Sequence, residues 1–192
     1  ARAAFDVEYK FPIGWSELEG IHNRSDFDLK QHAEFSGKNM SYRDPQTNEV
    51  YTPFIIETSA GCDRTTLAVM CEAYEEETLE DGSVRTVMHF HPRLAPIKVA
   101  ILPLVKKGGL KELAGEIKDD LKRHFNVFYD EKGAIGRRYR RMDEAGTPYC
   151  VTIDFDTLED KAVTVRDRDS MEQIRVPIGE LQAWLAKRIL IS

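Results

Sequence analysis

Glu57 and Ser59 stand two residues apart behind the β-branched pair Ile55-Ile56, and Gly61 then releases the chain through Cys62, Asp63 and Arg64 into the run Thr65-Thr66-Leu67-Ala68-Val69-Met70. In a strand, a spacing of two puts the carboxylate and the hydroxyl on one face, where together they can hold an ammonium group. A helix opening after Gly61 would aim its unpaired N–H groups outward, and with the Arg64 guanidinium beside them it can hold phosphate. A site for an amine and a site for a phosphate would then be neighbours. The same pattern also fits an ordinary strand-to-helix connection carrying a surface ion pair.

Other residues could do chemistry too. Arg137, Arg138, Arg140 and Arg141 surround Tyr139, followed by Asp143 and Glu144; such a helix either contacts RNA or pairs with its own acids in solvent. Arg166-Asp167-Arg168-Asp169 alternates charge, suited to base edges or to a self-paired ladder. His89 and His91 share a strand face with no third ligand nearby in sequence, so a packed or exposed pair is expected rather than a metal. Cys62 falls at the expected helix start without a histidine beside it and is read as structural. Glu17 and Glu57 can reach adjacent strands, an arrangement for magnesium or nucleotide if the two carboxylates converge.

Positioning these groups falls to two kinds of element. Phe5, Val7, Tyr9, Phe11 and Ile13 alternate with polar residues as far as Gly14, which predicts a strand, and residues 15–21 continue extended as the next. Ser25 with Asp28 reads as a cap and acidic first turn of a helix ending near Gly37. Residues 40–43 and 50–56 predict a hairpin, residues 62–79 a helix, and 84–90 a strand. The two prolines of His91-Pro92-Arg93-Leu94-Ala95-Pro96 mark the expected domain boundary. Beyond it, residues 97–104, 110–125 and 127–129 form a strand, helix, strand series that implies a mixed or parallel sheet. A short helix over 137–144, strands near 149–155, 162–166 and 173–176, and a last helix over 178–190 complete the pattern.

The chain has 192 residues, 42% hydrophobic and 31% charged, with no apolar run near the ~20 residues a bilayer span needs. Its net charge of −6 divides unevenly: residues 1–93 carry 9 Lys+Arg against 17 Asp+Glu, and residues 94–192 carry 18 against 16. An acidic half suits a cationic ligand or magnesium nucleotide, and a near-neutral half with clustered arginines suits nucleic acid. The three cysteines lie in no metal-binding spacing, which favours free thiols and a cytoplasmic location. The N-terminus carries no signal-peptide pattern and no initiating Met, as expected of a piece of something longer.

Taken together, residues 15–29, the Glu57-Thr58-Ser59-Ala60-Gly61-Cys62-Asp63-Arg64 stretch, Leu94-Ala95-Pro96-Ile97-Lys98-Val99-Ala100, Asp143-Glu144-Ala145-Gly146-Thr147-Pro148 and residues 163–173 resemble the C-terminal part of glycyl-tRNA synthetases of the dimeric kind found in eukaryotes, archaea and some bacteria. The resemblance covers nearly the whole chain. It implies an α+β fold: the end of a class II antiparallel-sheet catalytic domain over 1–93, carrying that class's third motif, then an α/β anticodon-binding domain over 94–192 with a mixed sheet of about five strands. It implies ATP-dependent activation of glycine and transfer to tRNA(Gly). Arg64 is then the catalytic residue on the ATP phosphates, with Glu17, Leu18, Gly61, Cys62 and Asp63 also binding ATP. Arg24 takes the glycine carboxylate, while Glu57, Thr58, Ser59, Ala60 and Gly61 surround its ammonium end. Magnesium arrives with ATP beside Glu17, with no tightly bound metal. Arg137, Arg138, Arg140, Arg141, Arg166 and Arg168 are the candidates for tRNA, and the whole protein is expected to be a soluble homodimer.

Two features depart from the family. Thr58 stands where many relatives have proline, and the first two class II motifs are missing, so the piece alone is expected to be inactive. The alternative is a non-catalytic nucleic-acid-binding module, like the synthetase-related accessory subunit of the mitochondrial DNA polymerase. A plainer one is a folding and anticodon-docking unit that binds tRNA but not ATP.

Overall fold

A computed structural model describes residues 2–190. The chain divides into two compact units between Cys71 and Glu72.

In the first unit, β1 (Ala3–Phe11) and β2 (Gly14–Ser25) form a hairpin whose turn needs Gly14, at φ +115°. β5 (Ile55–Ala60) pairs antiparallel along the other edge of β2, giving the order β1-β2-β5. Two β-bulges interrupt the pairing: Leu18 is the extra residue against β1, and Arg24 the extra residue against β5. Helix α1 (Phe27–Ser36) closes on Gly37 in the left-handed conformation. Its N-cap is Asp26 and not the expected Ser25, which instead ends β2 at φ +55°. The predicted hairpin is shorter than expected, β3 (Tyr42–Arg43) against β4 (Val50–Tyr51). Pro53 has no N–H to extend that ladder, and residues 55–60 leave it to pair with β2.

Helix α2 (Cys62–Ala73) starts where the glycine releases the strand, but it stops short of the predicted 79. Residues 74–78 become β6 (Tyr74–Thr78), paired with β7 (Val84–Met88) across a turn at Asp81-Gly82. Alternation explains the switch: Glu75 and Glu77 fall on the strand face of Arg85, Val87 and His89, where Arg85 and Val87 are buried.

The second unit is built on a sheet of order β12-β11-β10-β8-β9, from β8 (Val99–Pro103), β9 (Val127–Tyr129), β10 (Tyr149–Ile153), β11 (Ala162–Asp167) and β12 (Gln173–Pro177). β8 is parallel to both β9 and β10, while β10, β11 and β12 are antiparallel, the mixed five-stranded sheet that was expected. Every residue of β8 and β10 is buried, as in a strand covered on both faces. Val99 and Ile101 pack with α3 (Leu110–Leu121) and α6 (Ile178–Leu190); Ala100 and Leu102 face α4 (Ile135–Glu144) through Met142. A short helix α5 (Phe155–Asp160), capped by Asp154 and Thr157, occupies the end of what was expected to be strand. Gly146, at φ +74°, sits so close to the end of β7 that a Cβ would clash with the Phe90 ring and come within 2.9 Å of the Met88 carbonyl. No helix among the described residues is long and apolar enough to cross a membrane.

Candidate functional site

The bulges place the candidate groups. Glu57 lies opposite His22 and Ser59 opposite Gly20, so in the pleat these four share a sheet face, with Thr58 on the other. Arg24 is the bulged residue next along β2, and the bulge aims its guanidinium back over β5. Its Nη1 lies 2.9 Å from Glu57 Oε2, while Nε and Nη2 donate to Asp28 at 2.5 and 2.9 Å. Hydrogen bonding and charge from Asp28, then the charge of Glu57, push the Arg24 pKa up; the bond from Arg24 in turn holds Asp28 below the usual carboxylate range. A forked two-point bond fixes the guanidinium plane and leaves its third nitrogen at the open face.

Glu17 reaches the same face through the Leu18 bulge. A Cβ on Gly20 would sit 3.6 Å from Glu17 Oε1 and 3.2 Å from the His22 ring, so the missing side chain makes room for both. Arg64 is exposed on α2; its Nη1 donates to the Glu17 carbonyl and lies 3.4 Å from Ser16 Oγ. Asp63 and Arg64, with Ser16, Phe11, Ile13 and Leu67, line a depression of about 310 Å3. Gly61, Cys62 and Asp63 are exposed at the start of α2, where Thr65 N–H and Oγ1 both bond the Gly61 carbonyl. A larger hollow, about 760 Å3 and lined by Asp26, Lys30 and Tyr51 among others, contains none of the expected site residues.

Thus Arg24, Glu57, Ser59 and Glu17 share one face, and Arg64 is tied to the backbone beside Glu17. Leu18 contributes the bulge. Asp28, which orients Arg24, was read from sequence only as part of a helix start; its i+4 spacing from Arg24 was the available signal, hidden because the two sit in different elements.

The arginines of the second unit divide differently. Arg138, Arg166 and Arg168 are buried, which corrects the expectation that all six face tRNA. Arg138 donates to the carbonyls of Pro103, Leu104 and Asp130. Arg166 pairs with Asp143 at 2.8 and 3.1 Å, and Arg168 holds the Phe90 and Gly146 carbonyls at 2.9 Å each. Arg85, missed in the sequence, joins this network through Glu77, Asp143 and the Arg168 carbonyl. Arg137 and Arg141 stay exposed and Arg140 half-exposed. Arg141 bonds the Asp130 carboxylate and the Lys132 carbonyl. Of the cysteines, all free, Cys150 is buried, and desolvation pushes its thiol up to about 12.

A family model described as "Anticodon binding domain" matches residues 98–188. Over 98% of its length the chain is 57% identical to a glycine-tRNA ligase of Clostridium acetobutylicum and 59% identical to one of Geobacillus thermodenitrificans, covering 40% of each. A glycine-tRNA ligase of Staphylococcus haemolyticus is 58% identical, with 41% of it covered. The chain thus spans about two fifths of the length of the curated relatives it matches. In fold it is similar to a crystal structure of the RNA-binding domain of threonyl-tRNA synthetase from Cryptosporidium parvum, with a TM-score of 0.68 at 17% identity, over 96% of this chain and 42% of that one.

Proposed function

We propose, from the premise that this chain is homologous to about two fifths of a glycine-tRNA ligase, that it supplies the glycine pocket, part of the ATP site and the anticodon-binding domain of such an enzyme. The observation that carries this is the Arg24–Glu57 pair, held at 2.9 Å on an open sheet face with Arg24 clamped from behind by Asp28. A zwitterion inserted between the two would put its carboxylate on Arg24 and its ammonium on Glu57, exchanging one ion pair for two. An ion pair this exposed is screened by solvent and weak, so opening it costs little. Ser59, on the same face, adds an acceptor for the ammonium.

Arg64, with the start of α2, would neutralise the triphosphate, and Glu17 would face the magnesium that ATP brings. Glycine's carboxylate must meet the α-phosphorus in line, so holding both ends of a substrate without a side chain is the main demand on the protein. The anticodon domain would run from about residue 94. Arg137, Arg140 and Arg141 remain as its candidate phosphate contacts; Arg138, Arg166 and Arg168 shape the domain from inside. The whole protein would be a cytoplasmic class II homodimer. Retention of Arg24, Glu57, Ser59 and Arg64 favours this reading over a non-catalytic accessory module.

The test is a chimera in which residues 1–192 replace the matching segment of the Clostridium ligase. It should charge tRNA(Gly) with glycine, while the 192-residue chain alone should show no glycine-dependent pyrophosphate exchange. A chimera that folds and dimerises but charges no tRNA would refute the proposal.

A further inference from the structure

The β6–β7 hairpin gathers a group of side chains that neither ATP nor tRNA binding uses. Sequence spacing gave His89 no third ligand, but pairing of the two strands brings Glu75 and Glu77 onto its face. His89 Nε2 lies 2.9 Å from Glu77 Oε1 and 3.5 Å from Glu75 Oε2, and one ligand atom from each residue lies within 4.8 Å of the others. On the far side of the ring, Nδ1 lies 2.7 Å from Asp169 Oδ1. Asp169 is itself gripped by Arg168 through two bonds, at 2.7 and 2.9 Å.

A neutral imidazole has one N–H. If Nδ1 donates it to the fixed Asp169, Nε2 turns a lone pair toward two carboxylates, and acceptor facing acceptor is repulsive unless a cation lies between. A carboxylate behind a histidine is the arrangement that orients metal-bound imidazole and raises its basicity. The spacing also fits. Ligands about 2.0–2.2 Å from a tetrahedral zinc stand roughly 3.3–3.5 Å apart, which Glu75 already meets and Glu77 would meet by opening about half an ångström. Arg85 holds the other oxygen of Glu77 at 2.6–2.8 Å, which leaves Glu77 one oxygen to give.

We propose that His89, Glu75 and Glu77 form a binding site for a divalent transition cation, zinc by the imidazole-plus-carboxylate donor set, with Asp169 as the orienting group and a fourth position left to water. Magnesium is disfavoured, because it prefers oxygen ligands and octahedral geometry. Bound there, the ion clamps the β6–β7 hairpin to the turn joining β11 and β12, from which Asp169 projects.

The probe is zinc alone, titrated into the chelator-washed 192-residue chain against a chromophoric chelator, with melting temperature followed in parallel. The expected result is one equivalent bound and a raised melting temperature. Both should be lost in Glu75→Gln, an exposed strand position that should not disturb folding, and in His89→Gln. Asp169→Asn should weaken affinity about 10–100-fold, and Cys62→Ser with Cys71→Ser should leave it unchanged. Absence of stoichiometric uptake by the unaltered chain would mean that only a proton bridges these groups, and would overturn the proposal. So would an equivalent that survives Glu75→Gln and His89→Gln.

Discussion

The two units of this chain hold their functional groups in opposite ways. In the second, Leu185, Ile189, Val151 and Ile101 are fully buried, and ionised side chains are buried with them in a network of Arg85, Arg166 and Asp143. In the first, the sheet carries the candidate glycine groups on an open face and α2 the candidate phosphate groups, and large apolar side chains such as Ile13, at 89% exposure, and Trp15, at 67%, remain in solvent. The second unit has its own core; the first has strands and caps but no buried cluster among the described residues. The lesson is that arginine means different things on the two sides. In the thin first unit Arg24 on β2 and Arg64 on α2 stay open to solvent, whereas in the packed unit Arg138, Arg166 and Arg168 satisfy buried carbonyls and carboxylates.

The largest effect that could break this contrast comes from cutting it. Residues 72–192 expressed alone should unfold cooperatively on heating, and residues 1–71 should show no cooperative transition by circular dichroism, because a piece that small without a core cannot offset its chain entropy. Next, Asp143→Ala should cost about 3–5 kcal/mol in denaturant unfolding, because it leaves the buried Arg166 guanidinium without its carboxylate and removes one of the partners of Arg85.

Much of the architecture was legible before any coordinates. The strand-to-helix step at Gly61, the β9 strand, the mixed sheet and the last helix follow from alternation, apolar runs and glycine placement. What stayed hidden depends on pairing. A bulge at Arg24 is invisible until β5 is known to lie beside β2, and residues 74–78 look helical until Val84–Met88 is there to pair with them. Burial of Arg166 and Arg168 was equally illegible, since a charged run reads as surface unless its distant partners are known to be inside, here Asp143 on α4 for Arg166 and the Phe90 and Gly146 carbonyls for Arg168.

Matched truncations sharpen the comparison at smaller scale. Leu185→Ala should destabilise by about 2–5 kcal/mol, whereas Ile56→Ala, at a position 60% exposed, should change stability by less than about 0.5 kcal/mol. The smallest effect concerns acid. Burial alone would raise the Asp154 pKa, but the bonds from Thr157 and the ion pair with Arg175 outweigh it and hold the carboxyl below its ordinary 3.8. A carboxylate depressed by folding contributes stability above its unfolded pKa and loses it as pH falls through the folded value. Asp154→Asn should therefore make the loss of stability below about pH 4 shallower, as read by unfolding midpoints across that range.

In the proposed reading, one sheet face would hold glycine by both ends while α2 would hold the phosphates. Glycine-dependent pyrophosphate exchange by the chimera, with KM measured separately for glycine and ATP, tests it directly. Glu57→Gln should raise the KM for glycine at least tenfold and leave that for ATP within about twofold, a loss of roughly 1.4 kcal/mol or more of glycine binding, and Arg64→Ala should act chiefly on ATP. A Glu57→Gln chimera with an unchanged KM for glycine would contradict the account.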